Sequence, residues 1–523
     1  RIITDEDLTK KIIEWLSEQE YDNIFIPICF GKTLSDFNGL RLATHIRCTS
    51  TPNQRKRIFI YSFTGLESLV NCEFFNILKT KDVHLVDHSK KAFQAAETTF
   101  TAMLENHDLH KELSKLKIDP PNNYNDHHSI TNEWAIYQWA KTVGCDENDE
   151  LLNVFQNVQS NLYFKYLRTI NPIEKENKFS NQELKINHQD KLQKNPNVLL
   201  IDDEAEKGWY EIFCYILGDN NNISTDYLGF GFQNLEQEKI IERSLKKIKD
   251  NKIDIVILDF RLSKRDFDTN DDNISSLKLL EEIKKLNPGI QVIIFSATNK
   301  ILNLQKMQIA GADGFIIKDV GQNIKQTIKY MIELVSRSIP KALWLKPLWN
   351  ETKTCFSHLN NLKKNHIFDK DFVGAIRTYL ELSFDSLITE KSQYPYDTPF
   401  MYYFLILEGI SKQIIDDDNP IEEDGKFKFQ FRSGTLYLKH FDEKTLIRTK
   451  NDLKMDVKRI PYHQKFLNLI DYANIRNINP SELIKLRNNF YHPNLVENKR
   501  IAEIRKEDVR SLFKVCYQLI VNL

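Results

Sequence analysis

Hydrophobic positions along the chain follow two rhythms. Short apolar runs bounded by longer amphipathic stretches occur at 23–28, 57–61 and 82–86, and again at 198–201, 255–258, 292–295 and 315–317. Such runs between helix-length segments are the mark of strands buried on both faces, because a parallel sheet covered by helices has no wet side. A further strand is expected near 227–232, so residues 197–336 read as about five βα units of a doubly wound sheet. Residues 90–195 read as helical, broken at Pro120-Pro121-Asn122-Asn123, and the polar stretch 171–195 reads as a linker or a solvated helix. Pro340 and Pro347, with Trp344 and Trp349, mark a connector. Helices are then expected over 372–387, 399–415, 462–473, 481–490 and 506–521. Period-two alternation from Lys426 to Phe431, continuing to 436–438, predicts a β-hairpin inserted among them.

Length and composition add bounds. A chain of 523 residues holds several domains. With a net charge of -1 it has no global pull toward nucleic acid or anionic lipid, so any RNA-binding surface must be local. Seven cysteines without a CxxC pair argue against a zinc site and a disulfide framework, and fit a cytoplasmic protein. No apolar run reaches the length of a membrane span.

The strand ends carry the chemistry. The first strand of the 197–336 region ends in Asp202-Asp203-Glu204, the third in Asp259, the fourth in Ser296 and the fifth in Lys318. In a doubly wound sheet ligands bind beyond the carboxyl ends of the strands. Three carboxylates there suit Mg²⁺, which takes oxygen ligands, and a divalent cation lets a carboxylate approach a phosphoryl group despite their like charge. A hydroxyl and an ammonium can then bind phosphoryl oxygens. The segments LLIDDE, VILDFRLS, VIIFSAT and ADGFIIKD resemble the response-regulator receiver family. That resemblance implies Asp202 and Asp203 as metal ligands with Asp259, Asp259 as phosphoacceptor, Ser296 as switch hydroxyl, Lys318 as phosphate contact and Phe315 as the aromatic switch. Asp319 stands where the family has proline, and the loop 261–273 is long and polar.

The first region is similar to the same family in decayed form. The stretch Asp36-Phe37-Asn38-Gly39-Leu40-Arg41 resembles the segment just after an acceptor strand, which places Pro27 on or beside the acceptor position and Asp87 where lysine is needed. This reads as a pseudo-receiver lacking its first strand and helix, with an unrelated α/β fragment as the other reading. In the helical segment, His127 and His128 start a helix; a histidine there either accepts a phosphoryl group or simply caps and packs.

Near the C-terminus, Arg487-Asn488-Asn489-Phe490-Tyr491-His492 ends a helix before Pro493. Arginine and histidine are what metal-free RNA cleavage needs: a guanidinium for the phosphate and an imidazole to move a proton. The R-x4-H spacing on a penultimate helix resembles the HEPN family of all-helical domains, commonly metal-independent ribonucleases with a site at a dimer interface. The resemblance implies Arg487, Asn488 and His492 as catalytic residues. A salt-bridged Arg487 and a helix-capping His492 are the bland alternative.

The expected organisation is α/β plus all-α: flavodoxin-like doubly wound receiver sheets, one degenerate (1–90) and one intact (196–338), a helical connector (91–195), a linker (339–366) and a HEPN-like helical bundle (367–523). The implied function is two-component signalling, with a histidine kinase or phosphotransfer protein as partner, a homodimer, and tRNA or mRNA as substrate of the output, in a toxin or antiphage setting. The competing reading of the output is a non-enzymatic module that binds a partner on phosphorylation. No basic recognition helix of a DNA-binding type comes after Lys318.

Overall fold

In the computed structural model, residues 3–30, 37–63, 65–98, 104, 106–121, 127–171, 178–180, 182–186, 195–219, 221–267, 274–297, 301–318, 323–389, 394–423, 426–432, 438–440, 444, 446–450, 456–476, 478–491 and 503–523 are described. They form two compact units, Arg1–Glu282 with Gln291–Pro340, and Ile283–Ile290 with Lys341–Leu523.

The first unit opens with α1 (Asp5–Leu16), started by a capping box in which Thr4 and Asp7 satisfy each other's backbone amides. Strands β1 (Asn23–Pro27), β2 (Arg57–Ser62) and β3 (Val83–Asp87) pair in parallel in that order, with α2 (Asn38–Arg47) between the first two and α3 (Lys90–Thr98) after the third. Ile26, Ile58, Ile60, Leu40 and Ile46 fill the core. Gly39 lets α2 press on the end of β1, since a side chain there would run into the Pro27 carbonyl.

Helices α4 (Asn106–Leu113), α5 (His127–Val143), α6 (Leu152–Ser160) and α7 (Leu162–Ile170) come next. A buried polar hub ties α7 to the first sheet. Asp5 accepts from Arg41 Nε at 2.9 Å and from the Leu162 amide at 2.9 Å, and lies 2.9 Å from His45 Nε2, while Lys165 donates to Thr49 at 2.9 Å. Burial pushes the His45 imidazole down to about 4, with Lys165 and Arg41 adding to the effect and Asp5 opposing it. Burial alone would raise the Asp5 carboxyl, but His45, Leu162 and Arg41 hold it well below the usual carboxylate range. The unfolded chain takes up the His45 proton near 6.5 and the folded chain only near 4, so the unfolded state binds more protons between those values. Stability of this half should therefore fall as pH drops from 6.5 toward 4, by about 2–3 kcal/mol. Asp5 adds a further loss below its unfolded value. Amide exchange of α2 and α7, corrected for intrinsic rate, checks this; His45→Gln should flatten the upper part of the profile.

The second sheet has five parallel strands in the order β5-β4-β6-β7-β8: β4 (Asn197–Ile201), β5 (Ser224–Leu228), β6 (Ile255–Asp259), β7 (Gln291–Ser296) and β8 (Gly314–Ile317). The expected second strand at 227–232 is displaced to Ser224–Leu228. This is an edge strand, half-exposed along most of its length, so its apolar run does not mark its position. Between the strands lie α8 (Trp209–Phe213), which continues as a π turn, α9 (Gln237–Asp250), α10 (Ser275–Leu286) and α11 (Ile301–Ile309). The stretch read as a linker or solvated helix is partly docked. Leu184 and Ile186 are buried, the Phe179 amide donates to the Thr142 carbonyl, and Glu183 pairs with Lys325 and Lys329.

Helix α12 (Ile324–Lys364) runs unbroken through Pro340 and Pro347, so most of the segment 339–366 read as a linker is helical. A helix-internal proline costs about 3 kcal/mol. Buried positions at helical spacing, Leu345, Leu348, Cys355, Leu359 and Leu362, offset it by packing in the second unit. That unit is built from α13 (Lys370–Thr389), α14 (Asp397–Ile414), α15 (Tyr462–Tyr472), α16 (Pro480–Tyr491) and α17 (Lys506–Asn522), close to the expected helices. Lys426–Phe431 forms the strand β10, which pairs with β9 (Ile415–Glu423), and a second pair joins β11 (Ile447–Lys450) to β12 (Asp456–Arg459). Of the expected second arm, residues 436 and 437 lie outside the described residues, and the Leu438 amide donates to the Phe429 carbonyl at 2.9 Å. β9 reads IDDDNPIEE, with no alternation to announce a strand. Among the described residues, no helix is long and apolar enough to cross a membrane.

Candidate phosphoacceptor site

Parallel register brings the strand ends to one edge. Leu258 pairs with Ile201 and Ile294, Asp259 with Phe295, and Ser296 with Ile317. The residues just beyond, Asp202 and Lys318, therefore meet Asp259 at β4, where the strand order reverses. Lys318 Nζ lies 2.8 Å from Asp202 and 3.1 Å from Asp259, all three buried. Asp203 lies beside them and accepts from Gln233 at 3.3 Å. The Glu204 amide donates to Asp202 at 2.8 Å, fixing the turn that carries the acidic pair. Ser296 is buried at its strand end, and Phe315 is half-buried on β8.

The electrostatics are those of a site short of positive charge. Burial, then the neighbouring carboxylates, raise Asp203 above the usual carboxylate range. Burial raises Asp259 too, with Lys318 opposing and Asp202 reinforcing. Lys318 would be lowered by burial, but Asp202 and Asp259 drive it above its ordinary value. Oxygens of Asp202, Asp203 and Asp259 lie within 4.8 Å of one another. Three carboxylates facing one ammonium fit a small, hard cation, and Mg²⁺ held by these oxygens would supply the charge that lets a phosphoryl donor approach.

Other supports were not legible in the sequence. In the loop after the acceptor, Asp266 accepts from the Leu262 and Ser263 amides and from Ser275, which anchors the described part of it. Asn132 of α5 bonds the carboxylate of Glu204, and the Trp209 indole donates to Asn132 at 2.8 Å. Asp319 lies outside the described residues, as do the side chains of His127 and His128.

The first sheet repeats this edge without its chemistry. Pro27 ends β1 and pairs with Tyr61, as Asp259 ends β6 and pairs with Phe295. Ser62 matches Ser296. The lysine position is not Asp87 but the residue after it: the His88 amide donates to the Ser62 carbonyl as the Lys318 amide does to Ser296. The expectation for Asp87 was one residue short, because only the pairing register fixes the strand's last residue. His88 packs between Tyr61 and Phe93.

Residues 1–86 match the inactive receiver domain, and residues 230–329 match the response regulator receiver domain. The chain carries two receiver domains. The second match takes in Asp259, Ser296 and Lys318, while the acidic pair on β4 lies upstream of it but in the same sheet. Solved structures similar to the chain include the receiver domain of NtrX from Brucella abortus, with 23% identity, 27% of this chain and 98% of that one covered, and TM-score 0.21. A CheY-like receiver protein from Methanospirillum hungatei shares 18% identity over 28% of this chain and 99% of its own, with TM-score 0.21. The receiver of the response regulator NarL from Mycobacterium tuberculosis shares 15% over 28% and 98%, with TM-score 0.20. No curated protein matches the chain. Receiver domains of this kind point to two-component signalling.

In the second unit, Arg487 on α16 pairs with Glu408 on α14 at 2.6 Å, bonds Asn488 at 3.2 Å, and lies over the Tyr462 ring. Asn488 is exposed. His492 lies outside the described residues.

Proposed function

We propose that this chain is a phosphorylation-responsive signalling protein in which Asp259 accepts a phosphoryl group from a histidine kinase or phosphotransfer protein, with Mg²⁺ on Asp202, Asp203 and Asp259. The observation that supports it is the convergence of Asp202, Asp259 and Lys318 at one sheet edge. The inactive receiver, with Pro27 in place of the acceptor, serves as a packing and docking element. Ser296 and Phe315 read out the charged state, and the C-terminal helical unit is the output.

For that output we propose a HEPN-like, metal-independent ribonuclease acting as a homodimer on tRNA or mRNA, with Arg487 holding the phosphate, His492 moving the proton and Asn488 assisting. Its support is the R-x4-H spacing. The Arg487–Glu408 pair favours the second reading, a helical module that binds a partner protein without cleaving, because a carboxylate holds the guanidinium a phosphate would need. Total tRNA and mRNA incubated with the purified chain, with and without an acyl-phosphate donor and Mg²⁺, separates the two. The nuclease reading expects cleavage products that vanish in His492→Ala and Arg487→Ala and change in amount in Asp259→Asn. Intact RNA under every condition leaves the binding module.

A further inference from the structure

The reacting groups of the receiver all come from one sheet, but a helix from outside that sheet reaches the acidic turn. The amide of Asn132 on α5 lies between two groups of the receiver: it donates to the Glu204 carboxylate and accepts from the Trp209 indole at 2.8 Å. Asn132 is 2% exposed and Glu204 3%, so neither bond competes with water. The other Glu204 oxygen takes Lys207 at 2.7 Å. Both carboxylate oxygens thereby have a partner, Asn132 on one and Lys207 on the other, while the Glu204 amide fixes Asp202.

A second observation carries the same contact independently. Gly208, with φ of 124°, is the point where α8 begins, and a side chain there would strike Ile136 of α5 and Leu151 just ahead of α6. The backbone is thus built for close approach of the connector. Beside it, Trp139 of α5 meets Trp209 and Phe295 edge-on, with ring centroids 5.3 and 5.6 Å away. Those two receiver rings face the Lys318 ammonium, at 5.6 and 4.9 Å. From α5, then, one path runs through Asn132 to the acidic turn and another through Trp139 to the rings that flank the lysine.

We infer that α5 is part of the phosphoacceptor site: Asn132 is a positioning residue that holds Glu204 and Trp209 so that Asp202, Asp203 and Lys318 are set for the charged state. By linkage, docking of α5 and charging of Asp259 favour each other. The connector and the inactive receiver attached to it then sense the phosphoryl state directly, without passing through the C-terminal unit. This rests on Asp259 being the acceptor, and the test separates the two claims.

The full chain is exposed to beryllofluoride with Mg²⁺, a stable mimic of the phosphoryl group on a carboxylate, and followed by hydrogen exchange. In the wild type, amides of β6, of β8 and of α5 should all slow, those of α5 by about fivefold to tenfold. Asn132→Leu, close in shape but without either bond, should weaken beryllofluoride binding about tenfold and abolish the response of α5 while β6 still responds. Trp209→Phe, which removes the indole N–H and keeps an aromatic ring, should give a smaller change of the same sign. A merely structural Asn132 would lower stability in both states and leave the α5 response intact. If β6 responds in the wild type and α5 does not, or α5 exchanges faster, the inference fails and the acceptor reading stands. If neither responds, the acceptor reading itself fails.

Discussion

Replacing Lys318 by methionine is expected to destabilise the receiver sheet by about 3–5 kcal/mol without divalent cation, the range for removing one partner of a buried ion pair. The ammonium bridges Asp202 and Asp259, which stay buried and ionisable when it is gone. Faster exchange of the β4, β6 and β7 amides would show the loss. Added Mg²⁺ should restore part of the protection, because the carboxylates that Lys318 leaves behind are cation ligands. A variant as well protected as the wild type would mean that the lysine is not what balances this cluster.

The second large effect belongs to Asp259→Asn. An amide cannot attack phosphorus, so acyl-phosphate-dependent labelling should drop by at least about a hundredfold. Stability should move the other way. Asparagine removes one of three crowded carboxylates while Asp202 still pairs with Lys318, so the receiver without Mg²⁺ should gain about 1–2 kcal/mol. Loss of labelling together with a gain in stability separates a functional acceptor from a structural aspartate, whose removal would cost stability. Denaturant titration followed by exchange in β6 reads the sign of the stability change.

How much of this the sequence discloses depends on the kind of contact. Strands buried on both faces, such as Ile255–Asp259 and Gln291–Ser296, are legible as apolar runs, and the reacting groups sit where those runs stop. β5 is misplaced because an edge strand has no such run, and β9 is missed because Asp and Glu occupy it and pairing alone makes it a strand. Pro340 and Pro347 mark a connector in the sequence, and packing of one helix face keeps α12 continuous through them. His88 takes the lysine position only once register is known. Asn132 is the hardest case: its partner Glu204 is 72 positions away, and nothing around either residue announces the bond. Pattern identifies residues that obey the sheet's period; contacts between elements answer to the tertiary structure.

The most direct measurement of the acceptor claim is chemical. The chain is incubated with a small acyl-phosphate donor and Mg²⁺, reduced with borohydride so that an aspartyl phosphate becomes homoserine, and mapped by peptide mass spectrometry. Reduction confined to position 259, and absent when Mg²⁺ is withheld, is the result expected of three carboxylates and one lysine gathered at a single sheet edge. Incorporation at another carboxylate with Asp259 unmodified, or none under conditions where the sheet is folded, would contradict it.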